Sequence, residues 1–216
     1  LKGPQVLLTE NSTQTKIQSQ KGEVSWAIQI QPAVQPAMIF YRYAAMYSAR
    51  LPKKKILTPV PESHWQGWLQ WNDRRISVEN WTGFRGHNWG TEHAFAYAYG
   101  NCNLFKNAPG VYFDGFSASI KMMGLKTPWL SGGVLRIQEN DVPMNGLLQS
   151  LLTPARVEFP VWEAEWKASG ESLKIRQSAP PEDFVGLIYH HPNGKVSYCY
   201  NTKFARTDLI YSGRYG

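Results

Sequence analysis

Gly, Pro and Asn interrupt the chain throughout its length, at intervals of roughly eight to fifteen residues. The segments between these breaks are short, and many of them alternate apolar and polar residues. This rhythm is typical of an all-β sandwich or barrel, because each break reverses a strand before a long helix could form. With 216 residues, the chain is long enough for one large β-domain or two small domains.

Two pairs of segments are predicted to form β-hairpins, since each pair alternates apolar and polar residues on either side of a short turn. The turns are Lys21-Gly22 and Asn72-Asp73, which contain residues that tight turns favour. The paired segments are residues 13–19 with 24–30 and residues 65–71 with 75–79. Further strands are predicted at residues 94–101, 111–120, 133–138, 155–167 and 172–176, and residues 185–190 with 195–200 are predicted to form a third hairpin through Pro192-Asn193-Gly194.

Two segments do not alternate in this way. The run Met38–Met46 is nearly all apolar or aromatic, which fits either a strand covered on both faces or a short buried helix. In Met144–Leu152 the leucines recur at helical spacing, which predicts one short helix that acts as a lid or a plug. About ten strands with one short helix favour an antiparallel barrel, whose interior is wide enough to hold one small ligand.

The charge balance narrows the class of partner. The sequence has 23 Lys and Arg against 16 Asp and Glu, which gives a net charge of +7. These positive residues are scattered apart from Lys53–Lys55, whereas a nucleic-acid site would cluster them. No nucleic-acid partner is therefore predicted, and the excess fits either a solvated face or contact with an anionic membrane surface.

Several classes of site lack their sequence signatures. Cys102 and Cys199 are the two cysteines and form no CxxC pair, so neither a disulfide framework nor a structural zinc site is indicated. The sequence contains no GxSxG, P-loop or GxGxxG motif, so neither a serine nucleophile nor a nucleotide cofactor is predicted. No apolar run approaches the ~20 residues of a membrane-spanning helix. The expectation is a soluble or peripheral protein, in a compartment that the sequence does not define.

The densest polar cluster is the segment Arg85–His93, RGHNWGTEH, which precedes an aromatic strand. Its glycines indicate sharp bends or a close approach of the backbone. His87, Glu92 and His93 offer titratable groups, and burial among aromatic rings would raise the pKa of a carboxyl group and keep an acid protonated near neutrality. The alternative is a structural corner in which His87 and Asn88 satisfy backbone groups.

A metal site would need further ligands beside this cluster. His87 and His93 are six residues apart, which is not the HExxH spacing, and His190-His191 precede a predicted Pro-Asn-Gly turn. Neighbouring residues of a strand face opposite sides, so the last two histidines would not reach one ion together. No metal is predicted, and His190-His191 are interpreted as the end of a hairpin.

The nine Trp and eleven Tyr residues predict aromatic walls, which serve either as core or as a ligand-binding surface. Trp68 and Trp71 differ in parity within their strand, so they are expected to face opposite sides. Trp162 and Trp166 share parity and are expected to share a face. Asp114 is a lone carboxylate in an aromatic strand, where it is a candidate acid or the start of a β-bulge.

Several motifs surround the polar cluster. They are Gly67-Trp68-Leu69-Gln70-Trp71, Val78-Glu79-Asn80, Asn88-Trp89-Gly90, the strand through Tyr97 and Tyr99, and Cys102-Asn103-Leu104-Phe105. Through these motifs, over residues 55 to 205, the sequence resembles the tocopherol cyclase family. It also resembles that family's relatives, the carotenoid hydratases (hydroxyneurosporene synthases) and the lipocalin-like Diels-Alderases.

The resemblance implies an all-β fold, an antiparallel lipocalin-like (calycin) barrel with one short helix. Residues 51–216 would form the barrel, and residues 1–50 would supply N-terminal strands or the remainder of a preceding barrel half. The substrate would be isoprenoid-like, and its double bond would be protonated before a phenol or water attacks the cation. Three features depart from the family: its Phe-Glu-Gly-Trp-Tyr motif is absent, His87 replaces a Lys of the cyclases, and Gly-Thr-Glu-His at residues 90–93 replaces a Pro-containing stretch. On this resemblance, the departures predict either a fragment of a two-barrel protein or a divergent short member with a different task.

Three functions remain open for such a chain, and the sequence does not decide whether it is an enzyme. An enzyme would protonate its ligand at the mouth of a dry hollow, and a carrier would bind the same hydrophobic molecule and release it unchanged. A protein-interaction module would need no enclosed cavity. The candidate catalytic residues are Glu92 or His93 as proton donor, with His87 and Asn88 as orienting groups. The candidate ligand-binding residues are Trp89, Tyr97, Tyr99, Trp68, Trp71, Asp114 and Trp162.

Overall fold

The computed structural model describes residues 5–33, 36–41, 43–50, 52–91, 93–122, 124–168, 170–191 and 194–216. These residues form an all-β structure of antiparallel sheets with two short α-helices, which confirms the predicted class at this level. The chain divides into two compact units. The first contains Leu1–Met38 and Thr58–His87, and the second contains Ile39–Leu57 and Asn88–Gly216. The division at residue 50 stays a prediction.

A five-stranded sheet contains the first two predicted hairpins. Its strands, hydrogen-bonded in chain order, are β1 (Gln5–Leu8), β2 (Ser12–Ser19), β3 (Gly22–Pro32), β4 (Lys54–Trp71) and β5 (Arg74–Gly90). β2 turns into β3 at Gln20-Lys21, one residue before the expected dipeptide, and β4 turns into β5 at Asn72-Asp73 as expected. Asn72 adopts a φ of 51°, and its Oδ1 accepts a hydrogen bond from the backbone N of Glu23 at 2.8 Å. Both hairpins are therefore confirmed.

The second unit contains the end of β5 and all later strands. Its elements are α1 (Ala45–Ser48), β6 (Ala96–Cys102), β7 (Val111–Ser119), β8 (Lys121–Met122), β9 (Leu125–Lys126), β10 (Leu130–Ile137), β11 (Asn140–Met144), α2 (Leu147–Leu152), β12 (Ala155–Glu158), β13 (Val161–Ala168), β14 (Glu171–Ser178), a 3₁₀ helix (Pro181–Asp183), β15 (Val185–His190), β16 (Val196–Asn201) and β17 (Arg206–Ser212). Two four-stranded sheets have the orders β11-β10-β7-β6 and β12-β13-β14-β17, while β8 with β9 and β15 with β16 form two-stranded sheets.

The two four-stranded sheets share one apolar core. Phe113 on β7 packs against Trp162 and Trp166 on β13, with ring centroids 6.2 and 6.1 Å apart. Trp162 Nε1 also donates a hydrogen bond to Ser117 Oγ at 2.9 Å, which joins the sheets by a polar contact. Fully buried residues of β10 and β14, such as Leu135, complete the core, and each such side chain contributes about 1.5–3 kcal/mol. Trp162 and Trp166 share a face, as their parity predicts.

The open sheets differ from the predicted closed barrel. Among the described residues, one sheet ends in the edge strands β11 and β6 and the other in β12 and β17, and no strand closes either sheet on itself. The physical reason is the filling of the interior, because large side chains from both sheets occupy the space that a ligand would take inside a barrel. The all-β class is confirmed, whereas a lipocalin-like barrel is not.

Two strand predictions need correction. The described residues of Met38–Met46 form no continuous strand and no buried helix, since Met38 makes one isolated bridge to Thr58 and helix α1, which begins at Ala45, contains no buried residue. The predicted strand 155–167 is two strands, β12 and β13, because the chain turns at Phe159-Pro160.

The predicted leucine-rich helix is confirmed as α2. Its leucines are all exposed to solvent rather than packed in a core, so its role as a lid or a plug stays a prediction. No helix in the described part of the chain is long and apolar enough to cross a lipid bilayer.

Candidate functional site

The polar cluster Arg85–His93 lies where β5 ends and the chain turns toward β6. Gly90 has a φ of 147°, and an added Cβ would lie 2.0 Å from the carbonyl oxygen of Lys53. The backbone N of Thr91 donates a hydrogen bond to that same oxygen at 3.1 Å. The close backbone approach expected at this glycine is therefore confirmed, and it fixes the corner against the start of β4.

Gly90→Ala should lower the free energy of unfolding by about 2 kcal/mol or more, because a methyl group at this φ would meet backbone atoms. Gly186→Ala is the matched control, since nothing lies within 4 Å of its added Cβ. The control should change the free energy of unfolding by less than about 0.5 kcal/mol. Urea unfolding measures both variants. Equal stability of the two would show that the corner tolerates a side chain.

His93 lies among side chains from β6 and from the β15–β16 hairpin. Its ring stacks on Tyr97 with centroids 5.9 Å apart, and it lies 5.8 Å from the ring of Tyr189. His191 meets His93 edge-on at 5.0 Å, and its Nε2 is 2.7 Å from Ser197 Oγ. We call His93, Tyr97, Tyr189 and His191 the imidazole cluster. The fold builds this cluster from segments that are far apart in the sequence.

The imidazole cluster disfavours a charged His93. Burial lowers the pKa of His93. The positive charge of Lys54 and the neighbouring imidazole of His191 lower this pKa further. Near neutral pH the ring is therefore uncharged and able to accept a proton. Burial has the opposite effect on Tyr97, since it raises the pKa of the phenol, and the hydrogen-bonded Cys199 raises that pKa further. Tyr97 thus keeps its proton.

The lowered pKa of His93 predicts that the protein loses stability as the pH falls below neutrality. The unfolded chain, in which this imidazole has its ordinary pKa of 6.5, binds the proton more readily than the folded chain. The loss should begin as the pH falls through that value and end below the lower pKa of the folded state. His93→Gln should flatten this part of a plot of Tm against pH, and His190→Gln should not. An unchanged slope in His93→Gln would assign the acid sensitivity to other groups.

Trp89 belongs to a second aromatic group, formed with residues that precede β4. Its ring stacks on Tyr47 at 5.9 Å, and Tyr41 meets Tyr47 edge-on at 5.1 Å. The hydroxyl of Tyr41 donates a hydrogen bond to the carbonyl oxygen of Lys54 at 2.8 Å, and burial beside Tyr47 raises the pKa of Tyr41 to about 12. Lys54 is shared by the two groups, because its carbonyl oxygen binds Tyr41 and its charge acts on His93.

The remaining residues predicted at the corner have different surroundings. Asn88 and Tyr99 are exposed, and Tyr99 shares the β6 face of Tyr97. His87 is also exposed and belongs to the first unit. Glu92, the predicted acid, lies outside the described residues.

Asp114 and Trp162 lie on opposite faces of the sheet that contains β7. Asp114 on β7 lies opposite Asn101 on β6, so its buried carboxylate shares the face of Tyr99. Trp162 packs on the other face, against Phe113. The structure therefore does not bring these two predicted ligand-binding residues together.

Trp68 and Trp71 are residues of β4 in the first unit. The guanidinium of Arg75 lies 4.3 Å from the ring centroid of Trp68, and Trp71 is exposed. This unit also has a surface depression of about 460 Å³ that contains none of the predicted site residues. The depression is lined by Asn11, Gln29, Ile30, Gln31, Pro32 and Gln66.

Sequence analysis missed Lys54, Tyr189 and Cys199 as members of the site. Strand register is the signal that could have found the last two, since Tyr189 lies opposite Ser197 and Leu187 opposite Cys199, on one face of the hairpin. The interpretation of His190-His191 as a hairpin end is confirmed. Within the described ranges, no three His, Cys, Asp or Glu side chains are placed to hold a metal ion.

Comparison with known proteins gives a family and partial relatives. The sequence profile of the family described as "Tocopherol cyclase-like" matches residues 1–209. A rice protein (Oryza sativa subsp. japonica) named "Probable tocopherol cyclase, chloroplastic" is 26% identical over 128 residues, which cover 53% of this chain and 26% of that protein. An uncharacterized protein of Mycobacterium tuberculosis is 25% identical over 194 residues, which cover 89% of this chain and 57% of that protein. No solved structure matches the chain at a significant level.

Proposed function

The chain belongs to the tocopherol cyclase-like family, and on this premise we propose that it binds a long, apolar, isoprenoid-like ligand and cyclises it by protonating a double bond. The match of the family profile over residues 1–209 is the observation that carries this proposal. The name of the rice relative supports the same class of reaction. The chain spans 26% of that protein and 57% of the mycobacterial one, so the activity of the longer relatives comes to this chain as a proposal.

The proposed cyclisation moves one proton in and one proton out. An acid donates a proton to one carbon of a trisubstituted double bond, and the other carbon becomes a tertiary cation. The oxygen of a phenol in the same molecule attacks the cation, forms the new C–O bond and releases its proton to a base. If water attacks instead, the product is a tertiary alcohol and the reaction is a hydration.

His93 is suited to the second proton transfer. Its pKa is lowered, so the neutral imidazole can accept the proton that the phenol releases. A neutral imidazole is a poor donor to an alkene, and we therefore assign the donor role to Glu92. A carboxyl group needs a raised pKa for this role, which burial near aromatic rings would provide.

Aromatic rings near His93 and Trp89 support a cationic intermediate. Trp89 stacked on Tyr47, and Tyr97 stacked on His93, present π-faces whose negative potential attracts positive charge. Asn88 adjoins Trp89 and is proposed to orient the polar head of the ligand. The orienting role of His87 and an enclosing lipocalin-like barrel remain predictions of the family resemblance.

Two measurements on the intact chain test this function. Titration with a prenylated hydroquinone, and separately with an acyclic carotenoid, should quench Trp emission in a saturable manner. Product analysis should then show an isomer of the hydroquinone with a new ether ring, or a carotenoid that has gained one water molecule. Saturable quenching with an unchanged ligand would identify a carrier and contradict the enzymatic proposal. Absence of quenching by both ligands would contradict binding and favour an interaction module.

A further inference from the structure

Helix α2 presents its apolar residues to solvent and its polar residues to the protein. Gln149 and Ser150 are half-buried. The leucines are between 50% and 83% exposed, and we call these four side chains the leucine surface: Leu147, Leu148, Leu151 and Leu152. A surface helix normally has the opposite arrangement, with its leucines against the core and its polar residues in water. The arrangement of α2 therefore calls for an apolar partner outside the core.

Hydrogen bonds on the inner side of α2 fix this orientation. Thr153, which is 5% exposed, donates from its Oγ1 to the carbonyl oxygen of Gln149 at 2.7 Å. The Oε1 of Gln149 accepts a hydrogen bond from the backbone N of Gly146 at 3.4 Å, and its Nε2 donates to the sulfur of the buried Met144 at 3.6 Å. A rotation of the helix that buried the leucines would break these contacts.

The leucine surface lies in a stretch of chain without charged side chains. Residues 142–155 contain no Asp, Glu, Lys or Arg. The charged residues that border this stretch, in the chain or by a backbone hydrogen bond to Pro154, all form ion pairs of 2.5–2.6 Å: Asp141 with Arg136, Arg156 with Glu158, and Glu165 with Lys167. The leucines can therefore leave water without taking an unpaired bordering charge with them.

The size of the leucine surface distinguishes between its possible occupants. It offers about 500 Å² at most, since one leucine side chain supplies no more than ~120 Å². A stable protein interface buries about 800 Å² on each partner, so a second copy docked here would lack area. A helix that binds a protein groove uses anchors from i to i+7, which the six residues of α2 cannot supply. A bilayer requires no matching shape, because partition follows the apolar area that enters it.

We propose that the leucine surface inserts into the acyl-chain boundary of a lipid bilayer. The four side chains enter the hydrocarbon to the depth of an interfacial helix, about 5–10 Å. Gln149 and Ser150 stay against the protein, and the bordering ion pairs stay at the level of the headgroups. The insertion requires neither a lipid of particular charge nor an isoprenoid ligand, and it therefore goes beyond the proposed function.

Flotation of the intact chain with phosphatidylcholine vesicles tests the insertion. The wild type should float with these vesicles, which have no net charge, and high salt should not reduce the bound fraction, since salt screens charges and does not weaken apolar burial. Leu148→Gln with Leu152→Gln should lower the partition coefficient at least about tenfold. Both side chains are exposed, so this variant should unfold at the Tm of the wild type.

Leu104→Gln with Leu125→Gln is the matched control, because it removes two leucines that are 65% and 77% exposed outside α2. This control should float like the wild type. The inference is overturned if the wild type does not float, if the α2 variant floats equally well, or if the control loses as much binding as the α2 variant. Binding that high salt removes would show adsorption through the net charge of +7 and would also contradict insertion.

Two further results would separate this inference from its alternatives. A wild-type dimer in analytical ultracentrifugation that dissociates in the α2 variant, without flotation, would assign the leucine surface to a second copy. Flotation without turnover of the prenylated hydroquinone would contradict the proposed function alone, and turnover without flotation would contradict the insertion alone.

Discussion

Replacing Trp166 by alanine should lower the free energy of unfolding by about 3–5 kcal/mol. Trp166 on β13 is 0% exposed and packs against Phe113 of the facing sheet. Leu173 and Ile175 of β14 belong to the same core. Trp166 pairs with Leu173 of β14 and its ring is enclosed by the packed core, so the backbone cannot close the cavity that alanine would leave, and the lost contacts are not replaced.

A milder substitution separates the volume of Trp166 from its polarity. Its Nε1 has no hydrogen-bond acceptor among the described residues, although the atom is buried. Trp166→Phe keeps a ring and removes this donor, so relief of the desolvation cost offsets part of the lost packing. We expect Trp166→Phe to lower the free energy of unfolding by less than about 2 kcal/mol.

Urea unfolding followed by far-ultraviolet circular dichroism measures these variants without relying on the replaced fluorophore. Trp71→Ala is the control, because Trp71 is 62% exposed, and it should change the free energy of unfolding by no more than about 0.5 kcal/mol. If Trp166→Ala were as stable as Trp71→Ala, the packed core between the two sheets would be wrong. If Trp166→Phe were as unstable as Trp166→Ala, the unpaired Nε1 would have no energetic role.

The hairpins could be predicted from the turn residues and from the alternation of apolar and polar residues beside them. Asn72 can adopt the positive φ that a tight turn requires, and the flanking segments alternate with the period of a strand. Parity also placed Trp162 and Trp166 correctly on one face. These inferences need only neighbouring residues, which is why the sequence supports them.

The arrangement of the sheets depends on contacts that alternation does not encode. Tyr112 and Phe113 point to opposite faces of β7, yet both are buried, so the strand has no polar face that would identify the solvent side. Parity separates the two faces but does not say which other strands cover them. Open sheets and a closed barrel share the same pattern in such strands, and the pattern alone therefore does not determine whether the sheets close.

The candidate site was predicted in part for the same reason. His93 and Trp89 were found because the polar corner is continuous in the chain, and Gly90 marked its close backbone approach. Tyr189 and His191 contact His93 through the tertiary fold, because they belong to a hairpin whose first strand begins only at Val185. Nothing in local spacing links those segments, so only the fold could reveal the second imidazole.

On the proposed reaction, Glu92→Gln and His93→Gln should each reduce kcat about 100-fold or more, because each removes one of the two proton transfers. Saturable quenching of Trp emission by the prenylated hydroquinone should persist in both variants, since neither change removes one of the Trp or Tyr side chains proposed to hold the ligand. His190→Gln is the control for replacement of a histidine, because His190 is an exposed residue of β15. It should retain wild-type turnover.

The pH profile distinguishes the two roles. Below the lowered pKa of His93 the imidazole is protonated and cannot accept the phenol proton, so wild-type turnover should rise as the pH increases through that pKa. At higher pH, turnover should fall as the proposed donor Glu92 loses its proton. His93→Gln should lose the acidic limb and keep the alkaline one, while residual activity of Glu92→Gln should show the reverse. If His93→Gln kept the acidic limb, the base would be another group, and if Glu92→Gln retained full turnover, the proton would come from a different acid.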